Sequence, residues 1–481
     1  MKFLYTKENI NSWVGLSLRK SLSASAFLGL LTFAGCSSKF TDLAPISQRN
    51  TESFYKTSGD FVAAVNATYK VLQAGGTYNQ SYWVLFEQRS DNTDQGSDGT
   101  GLGAELTQVE NFLEIATNGI VETAYVDTYK GIARANIVLD RIDKISFDET
   151  LKNRLKGEAL FLRSLFYYQA AIAFGNIPLE LQESAANEQK TQVDAATIYA
   201  QLEQDLKIAE GWLPAKYTGS DVGRASKGAA AILLAKVQLL LGKKTEAAQV
   251  LRRIITDNNY RLVTYDKLWG LENKNNPESI FEVQFKGGGT GTGNWFTNAF
   301  TPLLFSSTGT YKNRPTNEMV KAYESKDLRF KLSMDTIYTN SAGQVITNSR
   351  NDARFIVKYG KTNAFGENDA SYNFPVFRYA DVLLSLAEAL GETDESYTLI
   401  NEIRRRANLD PISRTTAGTF EDKLLRERRI EFAFENHRWP DLLRFKKAES
   451  VLQGIGKKPR LLYPIPQREL DINKSFKQNP L

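Results

Sequence analysis

Two stretches of the chain carry apolar residues at helical spacing, break at a short polar turn, and resume that spacing. Residues 224–241 hold the small residues Ala225, Ala229, Ala230 and Ala235 on one helical run, and Gly242-Lys243-Lys244 separates it from a second periodic run at 245–256. Residues 378–407 repeat the arrangement, RYADVLLSLAEAL and then YTLINEIRRRA. Two helical runs joined by a short polar turn read as an antiparallel helical hairpin, and small residues on the first let the second approach closely. Hairpins of about 34 residues stack into arrays. Further helices are expected at 58–72, 123–142, 151–174 and 194–212, with Gly175 and Pro178 ending the third of these runs. This pattern predicts a mainly α fold, a helical frame covering about 58–275 and 375–481. It excludes a sheet wound alternately with helices.

Hairpin length and patterning resemble a tetratricopeptide unit, without its full consensus. Residues 276–374 break the pattern. They open with a strand-like run at 279–285, continue through the glycine loop GGGTGTGNWF, and hold a second alternating run at 354–359. The expectation is a loop-rich insert with short strands lying over the frame. Residues 77–103 are similarly irregular, and long irregular segments on a rigid scaffold carry function disproportionately.

The N-terminus constrains compartment. Arg19 and Lys20 precede the short apolar run 22–33, too short to cross a bilayer and built like a signal segment. Ala34-Gly35-Cys36 follows, resembling the lipobox of bacterial lipoproteins, with Phe33 where leucine is usual. That resemblance implies cleavage before Cys36, lipidation of its thiol, and a tether over 36–57. A plain secretory signal is the alternative. Cys36 is the only cysteine, which excludes an intramolecular disulfide, a CxxC redox pair and a cysteine zinc cluster. Residues 1–35 carry four basic residues and one acidic one, so removing them lowers the net charge from +5 to about +2. A nearly balanced chain has no electrostatic footprint for nucleic acid.

Candidate chemistry is sparse. The glycine loop at 287–293 lacks both a following Lys-Ser/Thr pair and a helix behind it, so a phosphate cradle is not expected. His437 is the only histidine, and Asp91, Asp94 and Asp98 lack the spacing of an EF-hand. No metal or cofactor is expected. Glu158, Glu388, Glu427 and Glu431 sit on helical runs beside arginines, which pull a carboxyl down, the wrong direction for the general acid of a glycoside hydrolase. The irregular segments offer different material. Tyr78, Tyr82, Trp83, Trp295, Phe296 and Tyr311 are flanked by Asn, Asp and Thr, with Asn92 nearby. Aromatic platforms rimmed by polar groups suit the apolar faces and hydroxyls of a sugar. These seven residues are the candidate ligand site.

Between residues 425 and 445 lies LRERRIEFAFENHRWPDLLRF. Helical spacing puts Glu427, Glu431 and Glu435 on one side with Arg428 a turn before Glu431. Either an ion network or a carboxylate site fits.

The chain also carries a series of ordered landmarks. They are Glu158–Arg163 running into Phe174-Gly175-Asn176-Ile177-Pro178, then Arg224-Ala225-Ser226-Lys227-Gly228, Arg378-Tyr379-Ala380-Asp381 and Asn401-Glu402-Ile403-Arg404. Glu427-Arg428-Arg429-Ile430-Glu431 with Arg438-Trp439 and Asp441, Tyr463-Pro464-Ile465-Pro466 and Gln478-Asn479-Pro480 complete the series. In this order they resemble the SusD/RagB family, from which Asn436 departs, standing where glycine is usual.

The resemblance implies one SusD-like domain over 58–481 in a lipoprotein of the outer membrane, facing the cell exterior. It implies capture of an oligosaccharide, or of a peptide in some members, for a SusC-like TonB-dependent transporter, without catalysis or cofactor. A hydrolase and a purely protein-binding helical scaffold are the readings from other classes. On the family reading, Glu427, Arg428, Glu431, Arg438 and Asp441 form a structural ion network.

Overall fold

The computed structural model describes residues 54–95, 102–184, 189–302, 310–336, 338–339, 345–346, 354–360, 366 and 368–480. Cys36, the signal segment, most of the tether and Asp98 lie outside them. Eight helices build the frame: α1 (Ser58–Val71), α2 (Gly119–Ile142), α3 (Glu149–Phe174), α4 (Ala195–Trp212), α5 (Lys227–Leu240), α6 (Lys244–Thr256), α7 (Tyr379–Leu390) and α8 (Asp394–Arg406). Two more, α9 (Phe420–Glu431) and α10 (Arg438–Arg444), follow them.

Their starts follow local chemistry. Thr57 and Asp60 make a reciprocal capping box on α1. Asn118, Asp148, Asp194, Ser226, Thr393 and Thr419 each accept a backbone N–H at the start of α2, α3, α4, α5, α8 and α9. Gly175 ends α3 and Gly391 ends α7, both with φ near +67°, a conformation that favours glycine.

The helices pack in sequence, α2 on α3, α3 on α4, α4 on α5 and α5 on α6, and then α6 receives α7 and α7 pairs with α8. From Phe161 to Phe174, α3 is buried on every side. A Cβ at Gly131 of α2 would lie 2.3 Å from the Phe166 ring of α3, so that crossing needs glycine.

The irregular segments are not the surface loops their composition suggests. Ser81–Trp83 is α-helical, continues as a π-helix over Val84–Gln88, and is buried throughout. In the insert, Phe296–Phe300 is a buried helix. Strand β1 (Ser279–Val283) pairs antiparallel with β2 (Phe374–Arg378), joining the two ends of the insert directly onto α7. Phe355–Ile356 pairs with Met334–Asp335. Aromatic rings explain this ordering. Trp83 meets Phe300 edge-on at 5.1 Å and Trp295 at 5.9 Å, while Phe296 touches Phe285, Tyr359 and Phe374 between 5.1 and 5.6 Å. Burying each such side chain is worth about 1.5–3 kcal/mol, enough to pull polar-flanked segments inward.

A candidate ligand-binding face

Six of the seven aromatic and amide candidates are core residues. Trp83, Phe296 and Asn92 are fully buried, Tyr78 and Tyr82 nearly so, and Trp295 retains 9% of its surface. The Tyr82 hydroxyl pairs with Thr128 Oγ1 at 2.7 Å, and Gln169 donates to the Tyr78 hydroxyl at 3.1 Å. Asn92 Oδ1 accepts from Arg429 Nε and its amide donates to Glu87, both at 2.8 Å. The expectation of an exposed platform is corrected for these residues: their rings have neighbours on both faces, and the Asn92 amide is already used. Flanking Asn and Thr reported a polar chain, not an outward-facing ring.

Tyr311 is different. It is partly exposed, with φ of 53°. Thr93-Asp94 pairs with Arg314-Pro315 as a two-residue ladder, bringing the irregular segment after the π-helix against the insert. Thr93 Oγ1 donates to Asn313 Oδ1 at 2.6 Å, and Arg314 Nε donates to Asp94 Oδ1 at 2.7 Å. The Arg314 guanidinium stands 5.9 Å from the Tyr311 ring. Arg354 joins the group: burial, and next the nearby Arg314, lowers its pKa, and Asp94 and Tyr311 partly offset this. Burial raises the Tyr311 hydroxyl against the pull of Arg314 and Arg354. One partly exposed ring, two guanidiniums and a carboxylate thus converge on this face. Sequence reasoning named Tyr311 and weighed Asp94 only as a calcium ligand; Arg314 and Arg354 carried no motif.

The base beneath this face is ionic. Asp91 takes Arg438 Nε at 2.7 Å and Arg429 Nη2 at 3.0 Å. Burial opposes its ionisation, but the two arginines win and hold its carboxyl at about 2. Its oxygens are committed to cations, and Asp94 Oδ1 accepts from Arg314. Glu87 accepts the backbone N–H groups of Phe434 and Asn436, which both adopt positive φ near +66°. The turn at Asn436 therefore forms without glycine, because asparagine tolerates that conformation better than other L residues.

The C-terminal stretch proves to be an ion network. Arg378 binds Glu278, Glu431 and Glu435 at 2.6–2.8 Å, and Arg329 binds Asp327, Glu427 and Glu431 at 2.6–3.2 Å. Arg406 joins Glu278 to Glu431, and Arg404 reaches Glu427. A second cluster ties Arg428 to Asp381 and Asp441, with Lys236 on Asp381 and Arg444 on Asp441. Burial drives Glu431 upward, yet Arg406, Arg378 and Arg329 outweigh it and hold it well below the usual carboxylate range. Glu158 behaves oppositely: burial raises it despite Arg224. The expectation of a depressed pKa is corrected there. Burial takes His437 down to about 4, so it is neutral beside Asp381.

The glycine loop is also occupied from within. Gly288 and Gly289 N–H groups both donate to Asp369 Oδ2, at 3.0 and 2.8 Å. The loop does not present Trp295 and Phe296, which follow it, to solvent: both are buried.

Known proteins share this architecture. The family description "SusD family" matches residues 329–459, and "Starch-binding associating with outer membrane" matches residues 39–239. SusD-like protein P2 of Formosa agariphila is 28% identical over 94% of this chain and 97% of its own length. A SusD-like protein of Bacteroides ovatus is 25% identical over 86% of this chain and 80% of its own. Among solved structures, a laminarin binding SusD-like protein is 30% identical, with a TM-score of 0.78, over 89% of this chain and all of its own. Surface glycan-binding protein A from Bacteroides thetaiotaomicron, in complex with laminarihexaose, shares the fold at 22% identity, with a TM-score of 0.74 over 88% of this chain and 99% of its own. The chain belongs to the SusD family.

Proposed function

We propose that this protein is a lipid-anchored, outer-membrane glycan-binding protein that passes its ligand to a TonB-dependent transporter. The observation carrying the proposal is its likeness, at 30% identity along the whole relative, to a protein named for binding laminarin. The second family description supports association with the outer membrane, and Ala34-Gly35-Cys36 supports anchoring through Cys36. On this reading the ligand lies against Tyr311, with Arg314, Arg354 and Asp94 at its edges. The buried Trp83, Trp295, Tyr78, Tyr82 and Phe296 hold the floor beneath it, and Asn92 fixes the strand that carries Asp94. Binding needs one apolar face and a few convergent polar groups, which this cluster supplies. Capture and release need two states of different affinity, not bond chemistry.

The test is calorimetry on the soluble protein starting after Cys36, with laminarihexaose as the probe. The double variant Tyr311→Ala/Arg314→Ala is expected to bind at least about tenfold more weakly while remaining folded. Unchanged affinity would remove the site, and release of new reducing ends from the glycan would replace binding with hydrolysis.

A further inference from the structure

Away from the Tyr311 face, two clefts of about 320 and 280 Å³ adjoin each other along β1. Both are lined by Val222, Gly223, Arg224, Phe281 and Glu282, so they form one trough crossed by the segment before α5. Together they fall in the size range of small-ligand sites.

The trough gathers three exposed cations around the buried core of β1. Lys70, Lys216 and Arg261 line it and make no ion pair among the described residues. Lys70 Nζ reaches only the Gly291 carbonyl, at 2.8 Å, and the side chains of Lys216 and Arg261 make no hydrogen bond at all among the described residues. Arg224 is held rigidly across the centre by Glu158, Asp221 and Asn66, at 2.7–2.8 Å. The single acidic side chain in the lining, Glu282, turns inward. It is 7% exposed and accepts from Asn275 N–H and Asn373 Nδ2. Burial raises its pKa, which weakens it as a counter-charge.

The other lining groups suit a saccharide. Tyr69 and Tyr217 present partly exposed rings, while Asn66 and Gln73 add amides. An extended peptide would need free carbonyls on the outer edge of β1. That edge is already capped: Gln284 Nε2 donates to the Glu282 carbonyl at 3.0 Å and Gln73 Nε2 to the Gln284 carbonyl at 2.6 Å.

We propose that the trough around Arg224 is a second glycan site, selective for oligosaccharides bearing carboxylate or sulfate groups. It rests on the reading of the protein as a glycan binder and adds an acidic ligand class to it. Lys216 and Arg261 meet the anionic substituents at one end and Lys70 at the other, with Tyr69 and Tyr217 against pyranose faces.

Calorimetry on the same soluble protein tests this, with hexagalacturonate, laminarihexaose and hexaglutamate as probes. Hexagalacturonate is expected to bind, to weaken when salt rises from about 20 to about 200 mM, and to weaken about tenfold in Lys216→Ala/Arg261→Ala. Laminarihexaose affinity is expected to be the same in that variant as in the wild type. Both substituted side chains are exposed and unpaired, so the fold is not at risk. No binding of hexagalacturonate, equal binding by the double variant, or equally tight binding of hexaglutamate would overturn the proposal. Binding of laminarihexaose without hexagalacturonate removes this site and leaves the proposed function standing. Binding of hexagalacturonate without laminarihexaose keeps this site and removes the Tyr311 assignment.

Discussion

Replacing Glu431 by alanine removes the most connected carboxylate in the C-terminal network. Its oxygens accept from Arg406 Nη2 at 2.5 Å, Arg378 Nη1 at 2.6 Å, Tyr265 Oη at 2.7 Å and Arg329 Nη1 at 3.2 Å. No arginine would be left without an anion, because Arg378 and Arg406 keep Glu278 and Arg329 keeps Asp327 and Glu427. The cost therefore comes from four donors losing an acceptor where water is excluded, at about 1 kcal/mol each. The sum, about 4 kcal/mol, lies within the range for breaking a buried ion pair. Glu431→Gln keeps the volume but turns an NH2 toward guanidinium donors, so it should restore little.

Urea unfolding followed by tryptophan fluorescence measures both variants. Arg252→Ala breaks the exposed pair with Glu395, whose side chains are 49% and 44% exposed, and serves as the contrast at under about 0.5 kcal/mol. Acid adds a second signature. The carboxyl of Glu431 is depressed in the fold, so its contribution is present above the unfolded value of about 4.3 and is lost as pH falls through the lower folded value. The gap between wild type and Glu431→Ala should therefore shrink below pH ~4. A loss under about 1 kcal/mol at neutral pH, or lost glycan affinity at unchanged stability, refutes the reasoning.

Asn436→Gly should stabilise by about 1 kcal/mol in the same assay: φ is 65°, and both side-chain polar atoms are buried without a partner. Burial raises Glu87 to about 7, against donors from Asn92, Phe434 and Asn436. Wild type should lose about 3 kcal/mol between pH ~4.5 and 8 through this group, and Glu87→Gln should lack that slope in urea titrations across the range. His437, with its pKa taken down to about 4, should show one imidazole proton resonance in NMR that does not titrate from pH 8 to 5. Its neutrality supports the fold above the unfolded pKa near 6.5, and that support is lost as pH falls toward 4.

The frame was legible because its signals are local. Asp194 and Ser226 cap the helices they precede, and Gly175 closes α3 close to where the sequence places its end. The ligand face was not. Phe374–Arg378 pairs with a strand about a hundred residues earlier, and no local pattern reports such a partner. Trp83 and Trp295 looked like surface rings because Asn, Gly and Thr surround them, yet they pack against each other from distant segments. The ion network was visible from one side only. Glu427, Arg428 and Glu431 announce charge on a buried helix, whereas Arg329, Arg378 and Glu278 come from the insert and its borders.

The π-helical segment and its surroundings set an order on folding. Tyr463 Oη reaches the Leu85 carbonyl across 378 residues, the Phe434 N–H reaches Glu87 across 347, and Arg438 takes Asp91. In an open stack of repeats each unit meets only its neighbours, and the ends fray independently. Here an early segment is clasped by the last sixty or so residues, roughly the final eighth of the chain. Closing the 347-residue loop between Glu87 and Phe434 costs about 5 kcal/mol of chain entropy before any contact forms. Until synthesis reaches residues 429–438, Asp91 lacks both of its arginines and Glu87 has only Asn92 of its three donors. Folding of this region must therefore wait for the partner residues between Arg429 and Tyr463 and proceed slowly. Once clasped, a cut anywhere in the insert leaves two fragments still locked together by the same residues.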